Sequence, residues 1–372
     1  MNAPKLRFKE FNDGWQKKEL REISQIYDGT HQTPNYIQNG VPFVSVEDIS
    51  DIEKTKKFIS KNDFEKEFKI KPQVNDILMT RITAGIIGAT AIVKNNNPLG
   101  YYVSLALIRK NKEIDVNYLN QYINCFKFKK ELNKRIIHVA FPKKINLGDI
   151  GKCKISITSI NEQQKIGKML NILDRKIELQ SKKIEDLKLF TKNTISSELN
   201  NLQNYNIFKF KDICNIQTGK SNTQDKCDDG IYPFYIRSEN IERSNNYIFD
   251  CEAVLTIGDG NIGKVFFYKN GKFDCHQRVY VLNNFKNVLG KYVYYYFSSF
   301  FYKRAMSMSA KNTVDSVRME MISDMIIKVP QEKEQIKMIN LFSCLDKKLG
   351  LEQNKLDKLQ ELKKGLMQNM FV

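Results

Sequence analysis

Residues 162–190 read EQQKIGKMLNILDRKIELQSKKIEDLKLF, and residues 334–362 read EQIKMINLFSCLDKKLGLEQNKLDKLQEL. The two stretches align without a gap at an offset of 172 residues, pairing Leu173-Asp174 with Leu345-Asp346, Lys176 with Lys348, Leu179 with Leu351, Lys183 with Lys355 and Leu187 with Leu359. Leu170, Leu173, Ile177, Ile184 and Leu187 follow steps of three and four with one position skipped at Gln180. Phe342, Leu345, Leu349, Leu356 and Leu359 do the same, with the gap at Glu352. That is the seam of a coiled-coil helix, and a polar residue at the same place in both copies points to a position that sets register. Neither stretch contains Pro, and each runs about 35–40 residues, roughly 55 Å as helix. So long a seam predicts that the two helices pair with each other. Antiparallel pairing would close the chain into a pseudo-twofold ring.

Working outward, the segments before the two helices also correspond. Leu20-Arg21-Glu22-Ile23-Ser24-Gln25-Ile26 leads to Gly29, and Phe210-Lys211-Asp212-Ile213-Cys214-Asn215-Ile216 leads to Gly219. A polar loop follows each, then a Pro-Phe strand: Val41-Pro42-Phe43-Val44 and Tyr232-Pro233-Phe234-Tyr235. Later come apolar strands around a Gly turn, Ile77–Arg81 to Gly88 and Ala253–Thr256 to Gly263. An aromatic-rich helix (Tyr118–Phe128; Tyr292–Tyr302) precedes the basic loop before each long helix. The frame is duplicated, while the loops between have diverged. Two copies of one scaffold with different surfaces suit a bipartite binder.

At 372 residues the chain can bury two cores. Lys and Arg number 60 against 42 Asp and Glu, a net charge of +18. The excess lies in both halves: 35 against 23 in residues 1–200 and 25 against 19 in the remainder. Such a surface favours a polyanion through counterion release but says nothing about sequence choice. No apolar run approaches the ~20 residues that span a bilayer, and Met1–Arg7 runs into charged sequence without a signal-peptide core, so no membrane partner and a cytoplasmic location are expected. The 7 cysteines lack any C-x-x-C or metal-ligand spacing and read as reduced thiols filling cores.

Catalytic motifs fail one by one. Thr218-Gly219-Lys220-Ser221 ends like a phosphate-binding loop, but Cys214 occupies the place of its first Gly. Gly258-Asp259-Gly260-Asn261-Ile262-Gly263 fits G-x-G-x-x-G, yet it runs into the strand pattern Lys264–Tyr268, where a dinucleotide site needs a helix; a hairpin turn is expected. There is no Pro-Pro anywhere, hence no amino-methyltransferase signature, and His31, His138 and His276 lie in separate segments without an evident nucleophile or carboxylate partner. No active site, catalytic residue or metal site is expected.

These residues resemble the specificity subunits of type I restriction–modification enzymes. The resemblance is carried by Glu162-Gln163-Gln164-Lys165-Ile166 leading into Leu173-Asp174-Arg175-Lys176-Ile177-Glu178-Leu179, and by its copy around Leu345-Asp346. The opening Lys5-Leu6-Arg7-Phe8 with Trp15 and Leu20, the closing Lys363–Phe371 and the Pro-Phe strands add to it. Thr158-Ser159-Ile160 departs from the family's Pro-containing turn, which Val329-Pro330 keeps. The resemblance implies an α+β fold. Two tandem target-recognition domains of mixed β-sheet and short helices, 1–158 and 201–330, would each precede a long helix, 159–200 and 331–372. The helices would pair as an antiparallel coiled coil that spaces the half-sites about one turn of DNA apart, ~34–36 Å, and would dock methyltransferase subunits. S-adenosylmethionine would sit on those subunits, and ATP with Mg on a motor-nuclease subunit, with no cofactor on this chain.

Side chains able to reach base edges in a double-stranded, split DNA target point to Thr30, His31, Gln32, Thr33, Arg81 and Thr83 in the first half. In the second they point to Lys220, Ser221, Asn222, Arg237, Ser238, His276, Gln277 and Arg278. Between Lys127 and Lys154 nine basic residues face two acidic ones, so Lys129, Lys130, Lys143 and Lys144 are expected on phosphates, with Lys311 as a second-half counterpart. A basic coiled-coil adaptor without sequence preference and a methylation-only or other phage-defence specificity subunit are the alternative readings.

Overall fold

The computed structural model describes residues 3–308 and 316–372. The chain divides into two compact units, Met1–Ser181 with Lys355–Val372, and Lys182–Asn354. The strands of the first are β1 (Gln16–Glu19), β2 (Ser24–Asp28), β3 (Val41–Val44), β4 (Phe58–Ile59), β5 (Ile77–Thr80), β6 (Ile82–Thr83), β7 (Thr90–Ile92), β8 (Gly100–Tyr101), β9 (Leu105–Lys110), β10 (Lys143–Lys144) and β11 (Lys154–Ile157). Between them lie α1 (Leu20–Ile23), α2 (Lys61–Glu67), α3 (Val116–Ile123), α4 (Phe126–Asn133) and α5 (Leu147–Gly151), and after them the long α6 (Ile160–Asn200) begins. The main sheet has the order β2-β9-β5-β7, all antiparallel. A second sheet runs β4-β3-β8, with β3 and β8 parallel.

The second unit repeats this plan with β12 (Tyr205–Lys209), β13 (Asn215–Thr218), β14 (Tyr232–Tyr235), β15 (Ile241–Ser244), β16 (Phe249–Asp250), β17 (Ala253–Ile257), β18 (Phe266–Lys269), β19 (Lys272–Cys275), β20 (Val279–Asn283) and β21 (Ile326–Pro330). Its helices are α7 (Phe210–Ile213), α8 (Gly290–Ser307), α9 (Met319–Ser323) and the start of α10 (Glu332–Met370). The sheet orders are β13-β20-β17-β18 and β15-β14-β19-β16, again with one parallel pair, β14 and β19. Outer ribbons β1–β11 and β12–β21 match as well. The Gly258–Gly263 string joins antiparallel β17 to β18, the hairpin its sequence predicts.

Each main sheet is buried on both faces, which is why its central strands read as unbroken apolar runs rather than alternating ones. In β5, Ile77 and Met79 face the core built with α3 and α6, while Leu78 faces the second core with Phe43 and Tyr101. In β17, Val254 joins the α8 core, and Leu255 and Ile257 join the other. Tyr118 and Tyr292 are fully buried, and each hydroxyl donates to a carbonyl of the last strand, Ser156 at 2.6 Å and Lys328 at 2.7 Å. A buried phenol keeps its apolar payload only if the hydroxyl is paired.

The repeated Gln of the decisive stretch has a structural reason. Gln163 is fully buried at the start of α6; its amide donates to the carbonyls of Glu113 (3.0 Å) and Thr158 (2.7 Å) and accepts from Asp115 N (3.0 Å). Gln335, equally buried, donates to Pro330 O and accepts from Leu289 N, both at 2.9 Å. Both amides tie the long helix to the turn that opens the aromatic helix. Asp174 accepts from Gln121 Nε2 at 2.6 Å and Asp346 from Tyr295 Oη at 2.6 Å, about three turns further along each helix.

The helix pairing is antiparallel within each unit. In the first, Ile166 and Leu170 share a core with Met370 and Phe371, and Asp174 meets Lys363. In the second, Lys183 meets Glu352 at 2.9 Å, while Ile195 and Leu199 pack with Phe342 and Met338. The position skipped by the apolar pattern stays in the seam: Gln180 is half-buried and Glu352 buried. Cys125, Cys153, Cys214 and Cys275 are buried as expected of core thiols, but Cys227 and Cys251 are half-buried and Cys344 is exposed on α10. Among the described residues no group of His, Cys, Asp and Glu is placed to hold a metal, and no helix is long and apolar enough to cross a membrane.

Candidate nucleic-acid interface

The loops after β2 and β13 carry the first candidates of each half, and glycine fixes their path. A Cβ on Gly29 would stand 2.5 Å from Tyr102 O, and one on Gly219 would stand 2.0 Å from Cys275 O. Only a residue without a side chain allows the two backbones to approach so closely. The loop then runs beside the turn after the second-sheet strand: Thr30 bridges Tyr102 in parallel, and Ser221 bridges His276. Lys220-Ser221 is followed by a short turn rather than by a long helix, so no phosphate-loop geometry forms.

In the second unit most of the candidates come together. Gln277 N donates to Ser221 O (2.9 Å), and Gln277 Nε2 donates to Asn222 Oδ1 (2.8 Å). Ser221 Oγ donates to Asp274 (2.8 Å), a buried carboxylate that also takes Ser244 Oγ. His276 is buried; its backbone N–H reaches Tyr235 O, and its Nδ1 accepts from Arg278 N at 3.0 Å. Burial first, then the nearby Arg237 guanidinium, lowers the imidazole pKa, which leaves a neutral ring with the hydrogen on Nε2. Arg237 pairs with Asp259 at 3.3 Å. Ser238 is half-buried, and its Oγ accepts from Asn240 N. Lys220, Arg237, Gln277 and Arg278 are exposed.

The first unit arranges its set differently. Asp28 holds two candidates at once, His31 Nε2 at 2.9 Å and Arg81 Nη2 at 2.6 Å. Arg81 is only 7% exposed. Thr30 is buried, donating to Glu67 Oε2 and accepting from Gln32 N. His31, Gln32 and Thr33 are exposed. Thr83 lies apart from that loop, in β6 opposite Lys143 of β10, with Ile82 opposite Lys144; its Oγ1 accepts from Gly85 N. A reading candidate and two grip candidates therefore share one small ribbon.

The grip set divides. Lys130, Lys143 and Lys144 are exposed, and among the described residues none of them has an ion-pair partner. Lys129 is turned inward, its Nζ on Gly88 O, and burial brings its pKa down to about 8. Lys311 lies outside the described residues. Sequence reasoning missed Asp28, Asp259 and Asp274, the carboxylates that hold candidate side chains in place. It also missed Tyr102-Val103-Ser104, which occupies in the first unit the place of His276-Gln277-Arg278; only the matched Thr30 and Ser221 bridges reveal that equivalence.

A family model for the type I restriction modification DNA specificity domain matches twice, over residues 12–189 and 203–361. The specificity subunit of the type I restriction enzyme EcoDI from Escherichia coli is 24% identical over 157 residues, 42% of this chain and 34% of that protein, so the match spans about a third of that relative. Among solved structures, the S subunit of a type I restriction–modification system from M. genitalium aligns with a TM-score of 0.69 at 15% identity, over 100% of this chain and 99% of the other. A chain of a type I R-M system, from work on its complex assembly and conformational transition, aligns with a TM-score of 0.57 at 12% identity, over 95% and 96%. At those identities the likeness establishes the fold.

Proposed function

The chain belongs to the type I restriction modification DNA specificity family, and from that premise we propose that it is the DNA-reading subunit of a restriction–modification complex, each unit gripping one half of a split double-stranded target. The observation that carries this reading is one frame built twice, with Gly29 and Gly219 holding equivalent loops against equivalent turns that present unlike side chains. A nonspecific grip gives no reason for two different surfaces. Exposed Gln277 and Arg278 suit base edges, where a good bidentate contact discriminates by about 1–3 kcal/mol. Lys143 and Lys144 suit phosphates, which position the protein without reading sequence.

The long helices dock methyltransferase subunits and set the spacing between half-sites. The chain itself is non-catalytic and binds no cofactor; S-adenosylmethionine belongs to the methyltransferase subunits, and ATP with Mg to a motor-nuclease subunit. A cytoplasmic location goes with that role. The test is to co-express the chain with its methyltransferase partner in a host free of DNA methylation and to map modified bases. One split motif, methylated once on each strand, is expected. A contiguous motif, or the pattern of the methyltransferase acting alone, overturns the reading in favour of a nonspecific adaptor.

A further inference from the structure

Val139 and Phe141 are the most exposed large hydrophobic residues described, at 97% and 92%, and Ile86 is 74% exposed. A lone exposed apolar side chain is ordinary, but three at one place are not. The antiparallel register of β6 and β10, Thr83 opposite Lys143, sends the chain before Lys143 and the chain after Thr83 out of the same end of the ribbon. Phe141 and Ile86 stand on those two chains. The ribbon is firmly based: Ile137 N donates to Lys144 O (2.8 Å), Ile145 N to Arg81 O (2.9 Å) and Gly88 N to Thr80 O (2.8 Å).

We propose that this tip is a wedge that inserts Phe141, flanked by Val139 and Ile86, against a base-pair step of the DNA bound by the first unit. The inference rests on the DNA-reading role proposed above. Charge selects the occupant. Lys143 and Lys144 are exposed directly beside the tip, and the nearest acids in sequence are already neutralised: Glu131 by Lys134 and Arg135, Asp149 by Lys152. No Asp or Glu occurs from Leu132 to Gly148. An apolar point beside exposed cations, on a segment without an acid, suits a polyanion whose interior is a stack of aromatic faces. An apolar wedge unstacks a base step, and cations on the adjacent phosphates hold the deformed duplex. Thr83 on the same ribbon stands where a neighbouring base edge would be within its reach.

The test uses the full chain with its methyltransferase partner and the split target defined by methylation mapping. A single mismatched pair is moved step by step through the half-site read by the first unit. A wedge gains affinity where unstacking is already done, so wild type should bind one mismatched duplex about tenfold more tightly than the matched one. Phe141→Ala should lose about tenfold on the matched target and gain nothing from the mismatch, while Phe141→Leu, which keeps apolar volume, should retain most of both. Specific binding to the split target that is unchanged in Phe141→Ala, or an equal mismatch gain in both proteins, overturns the wedge and leaves the reading role standing. Loss of methyltransferase co-purification in Phe141→Ala with DNA affinity intact overturns it too, and makes the tip a protein contact. Absence of any preference for the split target in wild type removes the reading role and the wedge with it.

Discussion

The first unit ties two of its candidate side chains to a single carboxylate, while the second leaves two side chains of its facing turn exposed. In the first, Asp28 takes both His31 and Arg81, and the facing turn is Tyr102-Val103-Ser104. In the second, the equivalent turn is His276-Gln277-Arg278, with Gln277 and Arg278 exposed and only the imidazole buried. The backbone beneath is the same in both, down to the parallel bridge from the loop to the turn. The frame is held by glycine contacts, buried amides and a two-faced sheet, none of which depends on what the loop side chains are. Exposed side chains on the loops are therefore able to change without cost to the core, and in the first unit the exposed Lys143 and Lys144 lie apart from the loop, on the β6–β10 ribbon.

The largest effect that would sharpen this comparison lies where the frames themselves differ. Glu162 is fully buried, receiving Arg7 Nε at 2.8 Å, Arg7 Nη2 at 2.7 Å and Thr158 Oγ1 at 2.6 Å. Its counterpart Glu334 is half-buried and meets Lys337 at 3.3 Å. Glu162→Ala leaves the half-buried Arg7 and Thr158 Oγ1 without their acceptor and should cost about 3 kcal/mol, while Glu334→Ala should cost less than about 0.5 kcal/mol. Urea unfolding of both variants measures the difference; equal costs would mean that the opening segment does not brace the first unit alone.

Where the frames agree, the costs should agree. Gln163→Leu and Gln335→Leu each leave buried backbone groups unpaired and should each cost about 2–3 kcal/mol, again by urea unfolding. A cost below about 0.5 kcal/mol in either would break the claim of a shared anchor.

Lys129 is turned inward, unlike its exposed neighbour Lys130. Its folded pKa of about 8 lies below the 10.5 of an exposed lysine, so the unfolded chain holds the extra proton between those values. Burial of this lysine is therefore penalised fully below about pH 8, and the penalty fades as pH rises toward 10.5. The stability of Lys129→Met relative to wild type should fall by about 2 kcal/mol between pH 7 and pH 9.5, followed by thermal or urea unfolding at each pH. The salt dependence of DNA binding should not change. A smaller effect is expected of Lys143→Ala combined with Lys144→Ala, which should weaken binding to all sequences alike and reduce the slope of log K against log salt by about 2. An unchanged slope would remove the ribbon from the phosphates.

The duplication, the seam and the Pro-Phe strands were legible in the sequence because each rests on a repeated residue in a repeated place. Gln163 with Gln335 and Asp174 with Asp346 could be matched by offset alone, before their partners were known. The apolar seam was legible throughout; at the polar position it skips, the helices half-bury Gln180 and bury Glu352. The sequence predicts one aromatic helix in each half, but the first copy breaks after Asn124 and restarts at Phe126, with Cys125 as the cap. The candidate site was less legible because its side chains are held by residues far away in sequence. Asp28 reaches Arg81 across 53 residues and Asp274 reaches Ser221 across another 53. Nothing in the local composition announces Tyr102-Val103-Ser104 as the equivalent of a polar trio, since the equivalence lives in strand register. Lys129 looked like its neighbours and differs only because helix α4 turns it toward Gly88.

The central claim is that the two units read independently, and the most direct measurement is methylation mapping of Gln277→Ala combined with Arg278→Ala, beside wild type, with the methyltransferase partner present. The expected result is a motif relaxed at one or two positions in one half of the split target, with the other half and the spacer unchanged. Relaxation of both halves together, or a motif identical to that of wild type, would contradict it.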